Sequence, residues 1–152
     1  TLLWAIDTDT VASVKLHYSG AADLEADVDT GLNGTAIDLV AVDLTEAQAA
    51  IAPHLSSMNA FQGEWTADDA KAVLKAQAVL AGYNADGVLV SATGIQLANG
   101  IDQVYTSGEA DANEAQLGPI YADGSITASV WAPTAQNVQL KLYGADKRLT
   151  ST

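Results

Sequence analysis

The chain has 152 residues, 49% of them hydrophobic, and its 19 acidic and six basic residues give a formal net charge of −13. So negative a surface repels phosphate backbones and anionic lipids, which argues against nucleic-acid and membrane partners. The absence of cysteine excludes disulfides, thiol catalysis and thiolate metal sites.

The first part of the chain predicts three strands and a loop. Apolar runs at residues 2–6 and 11–18 are typical of strands. Within the second run Lys15 and His17 alternate with apolar residues, so both are expected on the polar face of a half-buried strand. A loop rich in Gly, Asp and Asn follows, and the sequence then predicts a strand over residues 35–42.

Capping-box patterns predict two short helices. Thr45 is followed three residues later by Gln48, and Thr66 is followed three residues later by Asp69. Each pair precedes an apolar segment rich in alanine. Pro53 is expected to end the first helix early, because proline lacks the N–H that a helix interior needs.

The rest of the chain predicts two hairpins, a loop and one more strand. Residues 75–93 favour a hairpin that turns at 84–87, and residues 94–116 favour a polar loop with a helical turn. A second hairpin is predicted around the turn at 122–124, followed by a strand over 138–143. Strands in the majority with two or three short helices predict a β-rich α+β fold.

The last part of the chain carries a motif. A strand ends in Trp-Ala-Pro, an alanine follows two residues later, and an alternating Val-x-Leu strand comes next. The residues in this pattern are Trp131, Ala132, Pro133, Ala135, Val138, Leu140 and Leu142. The motif resembles the first hairpin of the immunoglobulin-like β-sandwich that precedes the catalytic barrel in starch-debranching and branching enzymes. Trp131 is therefore expected in the core of a sandwich.

The upstream sequence narrows the resemblance to one family. The segments APHLSSMNAF, VLKAQAVLAGYNADGVLVSATGIQLANGIDQVY and AQLGPIY follow one another in the order seen in the N2 domain of pullulanases. The resemblance implies an N2-like domain over residues 1–116 and an incomplete, N-terminal part of a β-sandwich over residues 117–152. The chain is accordingly expected to be a fragment of a longer protein.

The resemblance also implies a function for that longer protein. It implies a secreted glycoside hydrolase that cleaves α-1,6-glucosidic linkages in pullulan and branched starch, using two carboxyl groups on a TIM-type barrel. This chain matches no barrel motif, so it is expected to be non-catalytic and to need no cofactor, although calcium is conceivable in the parent. Its expected partners are the other domains of the parent and, as a further ligand, α-glucan. Two alternatives stay open: an independent α-glucan-binding module, and a purely structural spacer.

Aromatic side chains are the candidates for glycan contact, because sugar rings stack on exposed aromatic faces. Trp65 lies in a predicted loop and Tyr83 lies beside a predicted turn, so both are expected to be exposed to solvent. Trp4 lies within an apolar run and is expected in the core. The alternative for Trp65 and Tyr83 is simple packing at the ends of elements.

The acidic loop invites comparison with a calcium site, because Asp27, Asp29 and Asn33 lie close together in sequence. An EF-hand that started at Asp27 would need glycine at its sixth position and glutamate at its twelfth. These positions hold Leu32 and Asp38. The loop is therefore interpreted as acidic surface, and no metal ligand is predicted.

Overall fold

The computed structural model describes residues 1–27, 29–106 and 111–151. Within them the strands are β1 (Leu2–Trp4), β2 (Ser13–Ser19), β3 (Ala26–Asp27), β4 (Gly31–Leu32), β5 (Thr35–Val42), β6 (Asn59–Gln62), β7 (Gln77–Tyr83), β8 (Leu89–Gly94), β9 (Gly118–Ala122), β10 (Ser125–Ser129), β11 (Leu142–Tyr143) and β12 (Leu149–Ser151). The α-helices are α1 (Glu46–Ile51), α2 (Ala67–Leu74) and α3 (Ala98–Tyr105), and 3-10 turns span Pro53–Leu55 and Ala112–Glu114. None of the helices in the described ranges is long and apolar enough to cross a membrane.

A six-stranded antiparallel sheet organises the first unit, which comprises residues 1–106. Its strand order is β1-β6-β5-β2-β7-β8, so β2 lies in the interior of the sheet between β5 and β7. Leu16 on β2 stands opposite Ile37 on β5 and Leu80 on β7. Because side chains alternate between the faces of a strand, this register places Leu16 and Leu80 on one face and His17 on the other.

The hydrophobic core lies on the Leu16 face of the sheet. The buried cluster there comprises Val14, Leu16, Leu39, Phe61, Val73 and Leu80. Val73 belongs to α2, so this helix covers the sheet, and α3 packs on α2 in turn. A Cβ added at Gly100 in α3 would lie 3.4 Å from Leu74, which shows how closely the two helices approach.

Both predicted capping boxes are confirmed. Thr45 Oγ1 accepts from the N–H of Gln48 at 3.2 Å, and Gln48 Oε1 accepts from the N–H of Thr45 at 3.0 Å. Thr66 and Asp69 make the same reciprocal pair ahead of α2, at 3.2 and 2.8 Å. The hydrogen bonds from Thr66, chiefly the one from its backbone N–H, lower the pKa of the Asp69 carboxyl. These bonds satisfy N–H groups that a helix start leaves without intrahelical partners.

Residues 117–151, called the second unit below after the predicted boundary, contain two small hairpins. β9 and β10 pair around a turn in which Asp123 and Gly124 have φ values of 51° and 74°. Two successive positive φ values are typical of a type I′ turn, in which Asp-Gly is a preferred pair. β11 pairs with β12.

The β-rich α+β fold class is confirmed, but several elements differ from the sequence-based prediction. β6 was not predicted, although it connects β1 to the rest of the sheet. The segment 98–105, predicted as part of a polar loop with one helical turn, forms α3. Only Leu142–Tyr143 of the strand predicted over 138–143 is paired.

Leu80→Ala is expected to lower the free energy of unfolding by about 2–5 kcal/mol, because it opens a cavity beside Leu16 in the most buried part of the core. Denaturant unfolding followed by tryptophan fluorescence measures the change. Val40→Thr is the control, since Val40 is 64% exposed on the same sheet, and its effect is expected to stay within about 0.5 kcal/mol. Equal losses in the two variants would contradict this assignment of the core.

Candidate functional site

A buried polar network occupies the face of the sheet opposite the hydrophobic core. Tyr83 Oη lies 2.9 Å from His17 Nε2, and His17 Nδ1 lies 3.0 Å from the carbonyl oxygen of Asn33. The N–H of Leu32 donates to Tyr83 Oη at 3.3 Å. Since a carbonyl can only accept, Nδ1 of His17 donates to it; in the neutral imidazole Nε2 then accepts from the Tyr83 hydroxyl. Every member of the network thus has a partner of the right kind.

Two exposure predictions fail at this network. Tyr83 was expected to face solvent and is 7% exposed, and His17 was expected on an open polar face and is 4% exposed. His17 does lie on the face opposite Leu16, as the alternation predicts. That face is not open, however, because the loop between β2 and β5 folds back over it. As a glycan contact Tyr83 stays an untested prediction, but the exposure on which it rested is absent.

The covering loop is shaped by close contact with Tyr83. Gly31 has φ +82°, and a Cβ added there would lie 3.0 Å from Cε1 of the Tyr83 ring. Both its backbone conformation and the space above it therefore favour glycine. The side chain of Asn33 holds the loop together, since its Oδ1 accepts from the N–H of Glu25 at 2.7 Å and its Nδ2 donates to the carbonyl of Asp23 at 3.1 Å.

Asp27 and Asp29, which were compared with a calcium site, form hydrogen bonds within the same loop. Asp27 Oδ1 accepts from the N–H of Asp29 at 2.9 Å and from the N–H and hydroxyl of Thr30 at 2.8 and 3.0 Å. These hydrogen bonds, the one from the Thr30 backbone foremost, lower the pKa of the Asp27 carboxyl. Across the part of the chain that the structure describes, no three His, Asp or Glu side chains are grouped so that they could hold a metal ion.

Trp65, the other glycan-contact candidate, is half-buried. It lies between β6 and α2 and packs against the hydrophobic core cluster, as Trp4 does. Trp65 and Tyr83 therefore belong to opposite faces of the sheet, and the structure does not bring them together. Trp131, predicted as sandwich core, is 42% exposed. Its ring instead makes an edge-to-face contact with Tyr105, with the ring centroids 5.8 Å apart.

An open groove with a volume of about 580 Å³ lies beside β5, β6 and α1. Its polar lining includes Thr8, Asp43, Ser56 and Asn59, and its apolar lining consists mainly of small side chains. Neither Trp65 nor Tyr83 lines it. Phe61, the aromatic residue that does line it, is buried, so the groove offers sugar rings no exposed aromatic platform.

Tyr83→Phe is expected to destabilise the chain by about 1–3 kcal/mol, because the N–H of Leu32 and Nε2 of His17 both lose a buried partner. The measurement is denaturant unfolding, together with faster amide hydrogen exchange at Leu32. Tyr121→Phe is the matched control, since the side chain of Tyr121 is 74% exposed. If the two variants lost equal stability, the network would have no structural role.

Comparison with known proteins identifies the family to which the chain belongs. A family model described as the pullulanase N2 domain matches residues 1–103. Among curated relatives, a pullulanase of Klebsiella pneumoniae is 36% identical over 152 residues, which are 98% of this chain and 13% of that protein. A pullulanase of Klebsiella aerogenes is 30% identical over an alignment that covers all of this chain and 13% of that protein.

Solved structures agree with the sequence comparison. The structure of Klebsiella pneumoniae pullulanase complexed with maltotriose superposes with a TM-score of 0.86 at 30% identity, covering 98% of this chain and 14% of that one. PulA from Klebsiella oxytoca gives a TM-score of 0.85 at 34% identity with the same coverage. The boundary predicted at residues 116 and 117 stays a prediction, but the resemblance itself is confirmed. The chain belongs to the pullulanase N2 domain family.

Proposed function

We propose that this chain is a non-catalytic N-terminal segment of a secreted pullulanase, in which it supports the arrangement of the following domains. The longer protein would hydrolyse α-1,6-glucosidic linkages in pullulan and branched starch. The observation that carries the proposal is that 98% of the chain, including the second unit, is similar to pullulanases at 30–36% identity. Two further features support the proposal: the exposed apolar side chains of the second unit and the surroundings of two carboxyl groups.

The apolar surface of the second unit supports the presence of further domains. Many large apolar side chains of this unit are exposed: Leu117, Tyr121, Ile126, Val130, Val138, Leu140, Leu142, Tyr143 and Leu149. Isolated two-stranded hairpins are marginally stable in water. Further strands of a sandwich, supplied by the longer protein, would cover these apolar side chains and pair with the edges of the hairpins.

The two carboxyl groups of Asp27 and Asp69 have structural surroundings, not those of a catalytic acid. A glycosidase needs a general acid whose pKa is raised and a second carboxyl group close to it. Asp27 and Asp69 instead have a lowered pKa, because each accepts hydrogen bonds from neighbouring backbone and hydroxyl groups. Both are engaged in local turns and caps, where their function is structural.

The isolated 152-residue chain is expected to release no reducing ends from pullulan, whereas the longer protein is expected to hydrolyse it. Deleting residues 1–116 from the longer protein should leave activity measurable but lower the temperature at which it is lost. Turnover by the isolated chain would contradict the non-catalytic assignment, and a longer protein without activity on pullulan would contradict the proposed reaction. Unchanged heat resistance after the deletion would contradict the supporting role.

A second candidate function is α-glucan binding at Trp65, because this ring is only partly buried and lies just before the N-cap of α2. Calorimetric titration with maltoheptaose is then expected to saturate in the unsubstituted chain and in Trp131→Phe, and to be lost in Trp65→Ala. Thermal melting of each variant checks that it is folded. No heat change in the unsubstituted chain at millimolar sugar would reject this function and leave a spacer without ligand.

A further inference from the structure

The turn between β10 and β11 contacts the first unit of the chain. Its residue Gln136 donates through Nε2 to the carbonyl oxygen of Gly20 at 2.8 Å and to that of Lys75 at 2.9 Å. These partners are 116 and 61 residues away in sequence. One side chain of the second unit thus joins two separate segments of the first.

The chemistry of the contact is well defined. A side-chain amide carries two N–H donors, and the two carbonyls can only accept, so the amide orientation is fixed and both donors are used. Gly20 directly follows β2, whereas Lys75 is the C-terminal cap of α2. Carbonyls at a helix C-terminus lack intrahelical partners and carry partial negative charge, so they favour a donor from outside the helix.

A second contact from the same turn strengthens the first. Trp131 meets Tyr105, the last residue of α3, with an interplanar angle of 88°. Between Trp131 and Gln136, residues Ala132, Pro133 and Ala135 are partly buried, while most of the second unit is exposed. Residues 131–136 therefore contact the first unit through the Trp131 ring and the Gln136 amide, and Gln136 itself is exposed.

We propose that Gln136 is a latch that fixes the orientation of the second unit on the first. The latch holds the end of β2 and the end of α2 against one turn, so a rotation of the second unit would break both hydrogen bonds together. The inference rests on the proposed supporting role, to which it gives a specific contact. It assigns Gln136 as a positioning residue.

The latch is tested by the distance between two spin labels, which the absence of native cysteine makes simple. Asp68→Cys on α2 and Thr127→Cys on β10 place one label on each unit at exposed positions. The 152-residue chain is expected to give a single narrow distance distribution by pulsed electron resonance. Gln136→Glu replaces the donor by oxygen that repels both carbonyls, and the narrow distribution is expected to be lost. Gln136→Ala should broaden it as well.

Asn137→Asp is the matched control, because it adds the same negative charge at the next position, which is exposed as Gln136 is. Its distribution is expected to stay narrow. The proposal is overturned if Gln136→Glu and Gln136→Ala both stay narrow, if Asn137→Asp broadens equally, or if the distribution is already broad with Gln136 in place. The test does not use enzymatic activity, so failure of the latch is distinct from failure of the proposed function, which the deletion of residues 1–116 examines.

Discussion

The fold depends on the interior strand β2 being covered on both faces. On one face Leu16 meets Leu80 in the hydrophobic core, and both side chains are almost fully buried. On the other face His17 and Tyr83 are equally removed from solvent, but they are held by hydrogen bonds. Apolar burial supplies most of the driving force on the first face. On the second face burial is tolerated because each polar group has a partner.

The polar face links the centre of the sheet to the surface of the first unit. His17 binds the carbonyl of Asn33, and Asn33 in turn holds the backbone of Glu25 and Asp23 in the covering loop. The same loop starts at Gly20, whose carbonyl accepts from Gln136. The position of that acceptor is therefore set by contacts that lead back to β2. The hydrogen bonds around His17 and Asn33 thus belong to the same loop that the second unit contacts through Gln136.

Local patterns were sufficient to predict some features and insufficient for others. The capping boxes at Thr45 and Thr66 and the turn at Asp123-Gly124 were predicted because each depends on residues within four positions of one another. The burial of Tyr83 was missed because its partner Leu32 is 51 residues away, and the sequence gives no sign that the loop folds back. α3 was predicted only as a helical turn, because Leu97 provides no side-chain cap and Gly100 lowers helix propensity. β6 is four residues long, which is too short for a clear period.

The distribution of aromatic side chains favours support over ligand binding as the main role. A glycan-binding surface gains from several aromatic rings on one exposed face. Here Trp4 and Trp65 pack on the core, Tyr83 is buried on the opposite face, and Trp131 contacts Tyr105 between the units. These rings pack within the first unit or between it and the second, whereas Tyr121 and Tyr143 are exposed on the second unit. The placement of the packed rings agrees with the proposed supporting role.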